Sequence, residues 1–217
     1  TYAAKKAEAG MTVAIMTIDG AYAGMLTVAD TPRADARSSI ELLKRLGVRH
    51  IVMLTGDNED VARAVAAQLS IDDVRANMTP ESKLATLDEL VKSGANVAMV
   101  GDGINDAPAL ARAHVGIAMG GTGTAVAVEA ANVIILTDEL SRIAETIQIA
   151  RRAVSVVSWD MGIWFTTNAL GFVMVWVGWI GPALAAAYNF GTDFLPIANS
   201  GRLFRYRAEK DGVLQGK

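Results

Sequence analysis

Asp102 and Asp106 stand four residues apart in the run Met99-Val100-Gly101-Asp102-Gly103-Ile104-Asn105-Asp106-Ala107-Pro108-Ala109-Leu110. A glycine turn holds them directly after an apolar stretch. Two carboxylates and the amide of Asn105 in one turn offer hard oxygen donors of the kind Mg²⁺ takes, and Mg²⁺ keeps positions for water and phosphoryl oxygens. A second run, Leu54-Thr55-Gly56-Asp57-Asn58, also follows an apolar stretch, and Glu59-Asp60 open a helix after it. A threonine hydroxyl with backbone N–H groups at a helix N-terminus makes a phosphate cradle; the plainer alternative is a helix cap supplied by Asp57 or Asn58. Lys83 lies three residues after Pro80, at the start of another helix. A lysine there can offset the charge of a transferring phosphoryl group, although alone it reads equally as a surface lysine. Together these residues point to magnesium-assisted phosphoryl transfer.

The elements that must position them alternate. Residues 12–28 read as two strands around Asp19-Gly20, a hairpin signal. A polar turn with Asp30 and Arg33 follows, an ion pair or simply charges flanking a helix start. Apolar positions then predict a helix over 34–46 that Gly47 ends, a strand over 50–54, and a helix from Glu59 to about Leu69. Thr79-Pro80 is a cap followed by proline at the first helical position. Residues 97–100, 115–118 and 133–136 are short apolar strands, the last two separated by a helix near 124–131. Apolar strands alternating with amphipathic helices predict an α/β fold, a parallel sheet covered by helices on both faces. Ligands bind at the carboxyl ends of such strands, which is where both glycine-aspartate turns fall. Gly120-Gly121-Thr122-Gly123-Thr124 lacks a following lysine and is not a nucleotide P-loop.

Bulk properties narrow the chemistry. The 217 residues carry a net charge of −3, with 20 basic and 23 acidic side chains, so nothing electrostatic favours nucleic acid as a partner. No cysteine is present, which excludes disulfides, thiolate metal sites and a cysteine nucleophile within the chain. His50 opens one β-type run and His114 precedes another, both expected to be structural.

Polarity is uneven. Residues 161–192 contain no Asp, Glu, Lys or Arg. That is too long for one membrane helix of about 20 residues, and Gly178-Trp179-Ile180-Gly181-Pro182 offers a turn. A helix from about Glu139 is expected to run into a membrane hairpin of helices near 157–179 and 183–204. Arg151 and Arg152 precede the hairpin; Arg202, Arg205, Arg207 and Lys210 follow it. This places both ends and the α/β part in the cytoplasm and the turn outside, as in a multi-pass protein of the cell membrane. Intramembrane polar groups default to functional candidates: here Asn168, Tyr188, Asn189, Asp193 and Asn199, with helix–helix hydrogen bonding as the other reading.

Taken in order, 53–57, Thr79-Pro80-Glu81-Ser82-Lys83 and 99–110 resemble the phosphorylation domain of P-type ATPases, as do 117–120 and 129–133. The tail closing on Asn199-Ser200-Gly201-Arg202-Leu203 resembles the heavy-metal-translocating branch. The resemblance covers nearly the whole chain. It implies a haloacid-dehalogenase-like fold, ATP as substrate, Mg²⁺ as cofactor and a transported metal cation. It implies that Thr55 contacts the phosphoryl group, with Gly56 and Asp57 shaping the loop. Lys83 would stabilise the phosphoryl charge, Asp102 would hold Mg²⁺, and Asn105 and Asp106 would support metal and phosphate.

The family phosphorylates an aspartate in an Asp-Lys-Thr-Gly-Thr motif, which this sequence lacks. Actuator, nucleotide-binding and earlier membrane segments are also absent. The expectation is a C-terminal segment of a pump, inactive alone, since phosphoryl transfer needs a positioned nucleophile. Residues 1–11 would end the nucleotide-binding domain, 12–150 form an incomplete phosphorylation domain, 151–207 the membrane pair and 208–217 a cytoplasmic tail. The alternative is a non-catalytic membrane-tethered module, or split-gene partner, that completes or regulates a pump in trans.

Overall fold

A computed structural model describes residues 12–28, 31–102, 106–120 and 129–206. The chain divides into two compact units, 1–144 and 145–217.

The first unit opens on an antiparallel hairpin, β1 (Thr12–Ile18) and β2 (Ala21–Val28). Asp19 (φ 52°) and Gly20 (φ 79°) both adopt positive φ, as a two-residue primed turn requires. Ile15, Met16, Ile18, Tyr22 and Leu26 remain exposed. Helix α1 (Ala36–Arg45) ends with Lys44 and Arg45 in its last turn, favourable to the dipole, and Gly47 follows at φ 87°.

Strand β3 (Val52–Leu54) leads to α2 (Glu59–Leu69) and then β4 (Asp73–Arg75), which pairs parallel with β3. Periodicity does not announce β4: Asp73-Val74-Arg75 is too short and too polar. Helix α3 (Pro80–Lys92) is capped as its sequence predicts. Ser82 N–H donates to Thr79 Oγ1, and Thr79 N–H donates to Ser82 Oγ, a reciprocal pair worth on the order of 1 kcal/mol.

Strands β5 (Ala98–Gly101), β6 (Val115–Met119) and β7 (Val133–Ile135) form a parallel group with β6 central, and α4 (Ala107–Arg112) connects the first two. Leu87, Met99, Ala109, Leu110 and Ala118 make the core that joins α3, β5, α4 and β6. Leu87 and Leu110 are almost fully buried, each contributing roughly 1.5–3 kcal/mol of hydrophobic stabilisation. Gly116 allows the close approach: a Cβ there would lie 2.4 Å from the Leu110 carbonyl oxygen. His114 proves structural, its Nδ1 accepting from Val97 N–H at 3.2 Å.

The α/β fold with a parallel sheet is as the sequence predicts. Among the described residues every strand after the hairpin pairs in parallel, in the groups β3–β4 and β5–β6–β7. The helix expected near 124–131 falls largely outside the described residues.

Helix α5 (Ser141–Trp176) is 36 residues long and carries the chain into the second unit. Helices α6 (Pro182–Thr192) and α7 (Phe194–Ser200) follow, then a 3₁₀ turn, Gly201–Arg205. The helix expected at 157–179 is thus the later part of α5. It stops at Trp176, with Gly178 at φ 80° just beyond, a left-handed ending that glycine tolerates without strain. The helix expected at 183–204 is interrupted after Thr192. Pro196 has no N–H to offer the carbonyl four residues earlier, and its ring crowds that carbonyl. Among the described residues no helix is long and apolar enough to cross a membrane. Asp160, Thr166, Thr167 and Asn168 dilute α5, and the break divides the rest.

Candidate functional site

The loop after β3 is organised by its own side chains. Thr55 Oγ1 donates to Asp57 Oδ2 at 2.7 Å, and Asp57 N–H donates back to Thr55 Oγ1 at 3.1 Å. The cap of α2 is Asn58, whose Oδ1 accepts from Val61 N–H at 3.0 Å. Asp57 is therefore not spent on capping. Thr55 is half-buried, while Gly56 and Asp57 are exposed.

Backbone bonds tie this loop to the start of α3. Met78 N–H donates to Thr55 O at 3.0 Å, and Asn77 N–H to Asp57 O at 2.7 Å. A Cβ on Gly56 would come within 3.4 Å of Met78 O. Asn77 and Met78 directly precede the Thr79 cap, so the α3 terminus and the β3 loop are held together. Glu81 in that first turn has its carboxyl pulled below the ordinary range by the Thr79 side chain and then by its own backbone N–H.

Lys83, in the next turn of α3, reaches the β5 loop. Its Nζ donates to Asp106 Oδ1 at 2.8 Å, with side-chain exposures of 16% for Lys83 and 13% for Asp106. Asp106 is the N-cap residue of α4 but makes no capping bond with its side chain, which is turned to Lys83 instead. Gly101, at the tip of β5, makes room: a Cβ there would meet Asp106 Oδ2 at 2.7 Å. Asp102 follows at the strand end and is exposed. Asn105 lies outside the described residues. The sequence-predicted residues thus join as Thr55 with Asp57 and Lys83 with Asp106. Backbone contacts link the Thr55 loop to α3, and Gly101 lies against the Asp106 side chain. Among the described residues, no group of three or more His, Cys, Asp or Glu gathers as a metal cluster. Asp102 after β5 and Asp106 at the start of α4 are oxygen donors of the type taken by a cation that draws most of its ligands from water and substrate.

The membrane-path candidates have different hydrogen-bond partners. Asn168 Nδ2 donates to Trp164 O at 2.8 Å on its own helix. Tyr188 Oη donates to Thr167 O at 3.1 Å, joining α6 to α5. Asn189 and Asp193 are exposed. Asn199 alone meets a carboxylate, donating from Nδ2 to Asp160 Oδ1 at 2.7 Å. Ser200 Oγ donates to Asp160 Oδ2 at 2.7 Å, and Arg202 donates to Asn199 Oδ1 at 3.2 Å. Sequence reasoning missed Asp160. Its signal was available: a single carboxylate between Trp159 and Met161, where the uncharged stretch begins.

A family model described as haloacid dehalogenase-like hydrolase matches residues 3–114, and the chain belongs to that family. Within it, this chain is homologous to the corresponding domain of heavy-metal P-type ATPases. It is 43% identical over 196 residues to a manganese-exporting P-type ATPase of Mycobacterium tuberculosis, matching 90% of this chain and 27% of the relative. It is 44% identical over 195 residues to a zinc-exporting P-type ATPase of Mycobacterium marinum, with the same coverage of 90% and 27%. Among solved structures, a zinc-transporting PIB-type ATPase in the E2.Pi state superposes with a TM-score of 0.82 at 35% identity, over 93% of this chain and 33% of that one. The chain therefore spans about a quarter of the length of the curated relatives it matches.

Proposed function

We propose that this chain is the C-terminal part of an ATP-driven pump for a divalent heavy-metal cation. It would supply the Mg²⁺ and phosphoryl-binding side of the catalytic site and the last two membrane crossings. The observation that carries this reading is the Lys83–Asp106 pair at 2.8 Å, which unites two motifs at the carboxyl ends of parallel strands. In this reading Asp102 and Asp106 hold Mg²⁺, which neutralises phosphoryl charge when bound. Lys83 donates toward a phosphoryl oxygen, and Thr55 turns its hydroxyl from Asp57 to the same group. Asn105 supports the metal and the phosphate. The phosphorylated aspartate comes from residues preceding this chain.

The membrane pair remains part of the proposal. Trp159, Trp164, Phe165, Phe172 and Trp176 are all exposed on α5, an apolar surface that water disfavours. The polar side chains that lower its hydropathy are satisfied internally. Ser158 donates to Val154 O, Thr166 to Gly162 O and Thr167 to Ile163 O, in addition to the Asn168 and Asp160 bonds above. Satisfied polar groups are what a bilayer tolerates. Asp160 with Asn199, and the exposed Asn189 and Asp193, stand as candidates for the cation path.

The test uses the complete protein. Metal-stimulated ATPase and phosphoenzyme formation from ATP are measured with Mn²⁺, Zn²⁺, Cd²⁺ and Co²⁺, in wild type and in Asp102→Ala. Stimulation by at least one cation, with phosphoenzyme lost in Asp102→Ala, is the expected result. Absence of stimulation by all of them, or unchanged phosphoenzyme in the variant, overturns the reading.

A further inference from the structure

Asp35 occupies the N-cap position of α1, where an aspartate ordinarily accepts a backbone N–H of its own helix. It makes no such bond. Its Oδ2 accepts instead from Ser141 N–H at 2.9 Å, 106 residues further along the chain. Ser141 is the first residue of α5, and Ser39 Oγ donates to the same Oδ2 at 3.5 Å. Ser39 and Ser141 are both buried, so water does not compete freely for this carboxylate. A second and exposed contact runs parallel to the first, Arg33 to Asp138 at 3.9 Å. The unpaired N–H groups that begin a helix carry partial positive charge, and a carboxylate brought from α1 answers one of them.

We infer that Asp35 is a positioning residue that seats the first turn of α5 on the strand-bearing unit. Without Asp35, the first turn of α5 keeps the chain link through residues 136–140, of which 136–139 are exposed, and the burial of Ile143 and Ala144. With it, the helix start is fixed at a second point, by a charge-assisted bond, to the helix that precedes β3. This extends the pump reading and rests on it for one consequence. A rearrangement of the β3 and β5 loops on phosphorylation reaches the later turns of α5 only if the start of α5 moves with the unit.

The seat and the consequence are read separately, in the complete protein. Hydrogen exchange reads the seat. Asp35→Ala is expected to speed exchange of the 141–144 amides by about tenfold or more, while amides of α3 and β5 stay within about twofold. Asp35→Asn, which keeps an acceptor oxygen, is expected to restore most of the protection. Unchanged exchange at 141–144 in Asp35→Ala overturns the inference whatever the wild-type protein does with ATP. Cation moved per ATP hydrolysed reads the consequence. Phosphoenzyme held near the wild-type level with a ratio lowered about fivefold or more supports it. Equal loss of phosphoenzyme and transport, or an unchanged ratio, overturns it. Failure of wild type to form a phosphoenzyme counts against the pump reading and leaves the exchange result standing.

Discussion

Lys83 and Asp106, 23 residues apart, share a single 2.8 Å charge-assisted hydrogen bond with both side chains largely withdrawn from solvent. Neither charge has another arrangement as favourable if its partner is removed, since an uncompensated buried charge costs more than the pair contributes. Single replacements, Lys83→Ala and Asp106→Ala, should each lower the unfolding midpoint. The double variant should lose less than their sum, with a coupling of about 1–3 kcal/mol. Urea unfolding of the four proteins measures it.

Gly101, against Asp106, and Gly116, against Leu110, should respond differently to alanine. At Gly101 the added Cβ meets the Asp106 side chain, at 2.7–2.9 Å. The carboxylate can swing away but the Asp106 Cβ, at 2.9 Å, cannot, so the start of α4 must shift and the Lys83–Asp106 bond breaks. At Gly116 the Cβ meets main chain, 2.4 Å from Leu110 O, and nothing flexible can yield. Gly116→Ala should cost on the order of 1–3 kcal/mol, as overpacking does. Gly101→Ala should lower stability by about as much as the loss of the Lys83–Asp106 bond and also reduce phosphoenzyme formation in the complete protein. Thermal unfolding and phosphorylation measured side by side distinguish the two.

Asp72 gives the acid limb of stability a defined sign. Its carboxyl is held below the ordinary aspartate range, first by the Lys44 side chain and then by Ile51 N–H, against a smaller opposing effect of burial. Lys44 Nζ donates to Asp72 Oδ1 at 2.6 Å and to Ser70 O at 2.7 Å. A carboxyl with a depressed folded pKa stabilises the native state fully above its unfolded pKa. That contribution fades as pH falls through the unfolded value, near 3.9, toward the lower folded one. Asp72→Asn should therefore destabilise at neutral pH and flatten the loss of stability at acid pH. Urea midpoints measured from pH 7 down to pH 3 check it.

Much of the first unit is written in local chemistry. Asp19-Gly20 specifies its turn, Thr79 and Ser82 cap α3, Gly47 closes α1, and the glycine-aspartate runs fall at the ends of β3 and β5 as parallel-sheet logic requires. What escaped is non-local or too short for a period. β4 is three polar-flanked residues, held in place by pairing with β3 rather than by any pattern of its own. Asp35 looks like an ordinary cap on α1, and only the fold reveals Ser141 as its partner. Asp160 sits at the edge of an uncharged stretch, and only the fold shows its carboxylate meeting Asn199 and Ser200. The interruption after Thr192 follows from Pro196, whose effect acts one turn upstream. The membrane-path residues could be nominated from polarity, but polarity cannot tell Asn168, bonded to its own helix, from Asn199, bonded to Asp160.

Tyr188 shows how that ambiguity can be resolved by experiment. Its hydroxyl donates to Thr167 O at 3.1 Å, and a Cβ on Gly171 would lie 2.9 Å from its ring. Both contacts make it a strut between α5 and α6, with Gly171 hollowed to receive the ring. A strut tolerates loss of the hydroxyl at about 0.6 kcal/mol, the typical value for a hydrogen bond between helices in a membrane. It does not tolerate Gly171→Val, which evicts the ring. A cation ligand behaves in the opposite way, since the oxygen is the function and the ring is incidental. Tyr188→Phe should therefore retain metal-stimulated ATPase within about twofold in the complete protein, while Gly171→Val lowers both that activity and thermal stability. A large loss of stimulation in Tyr188→Phe, at unchanged stability, would return Tyr188 to the cation path.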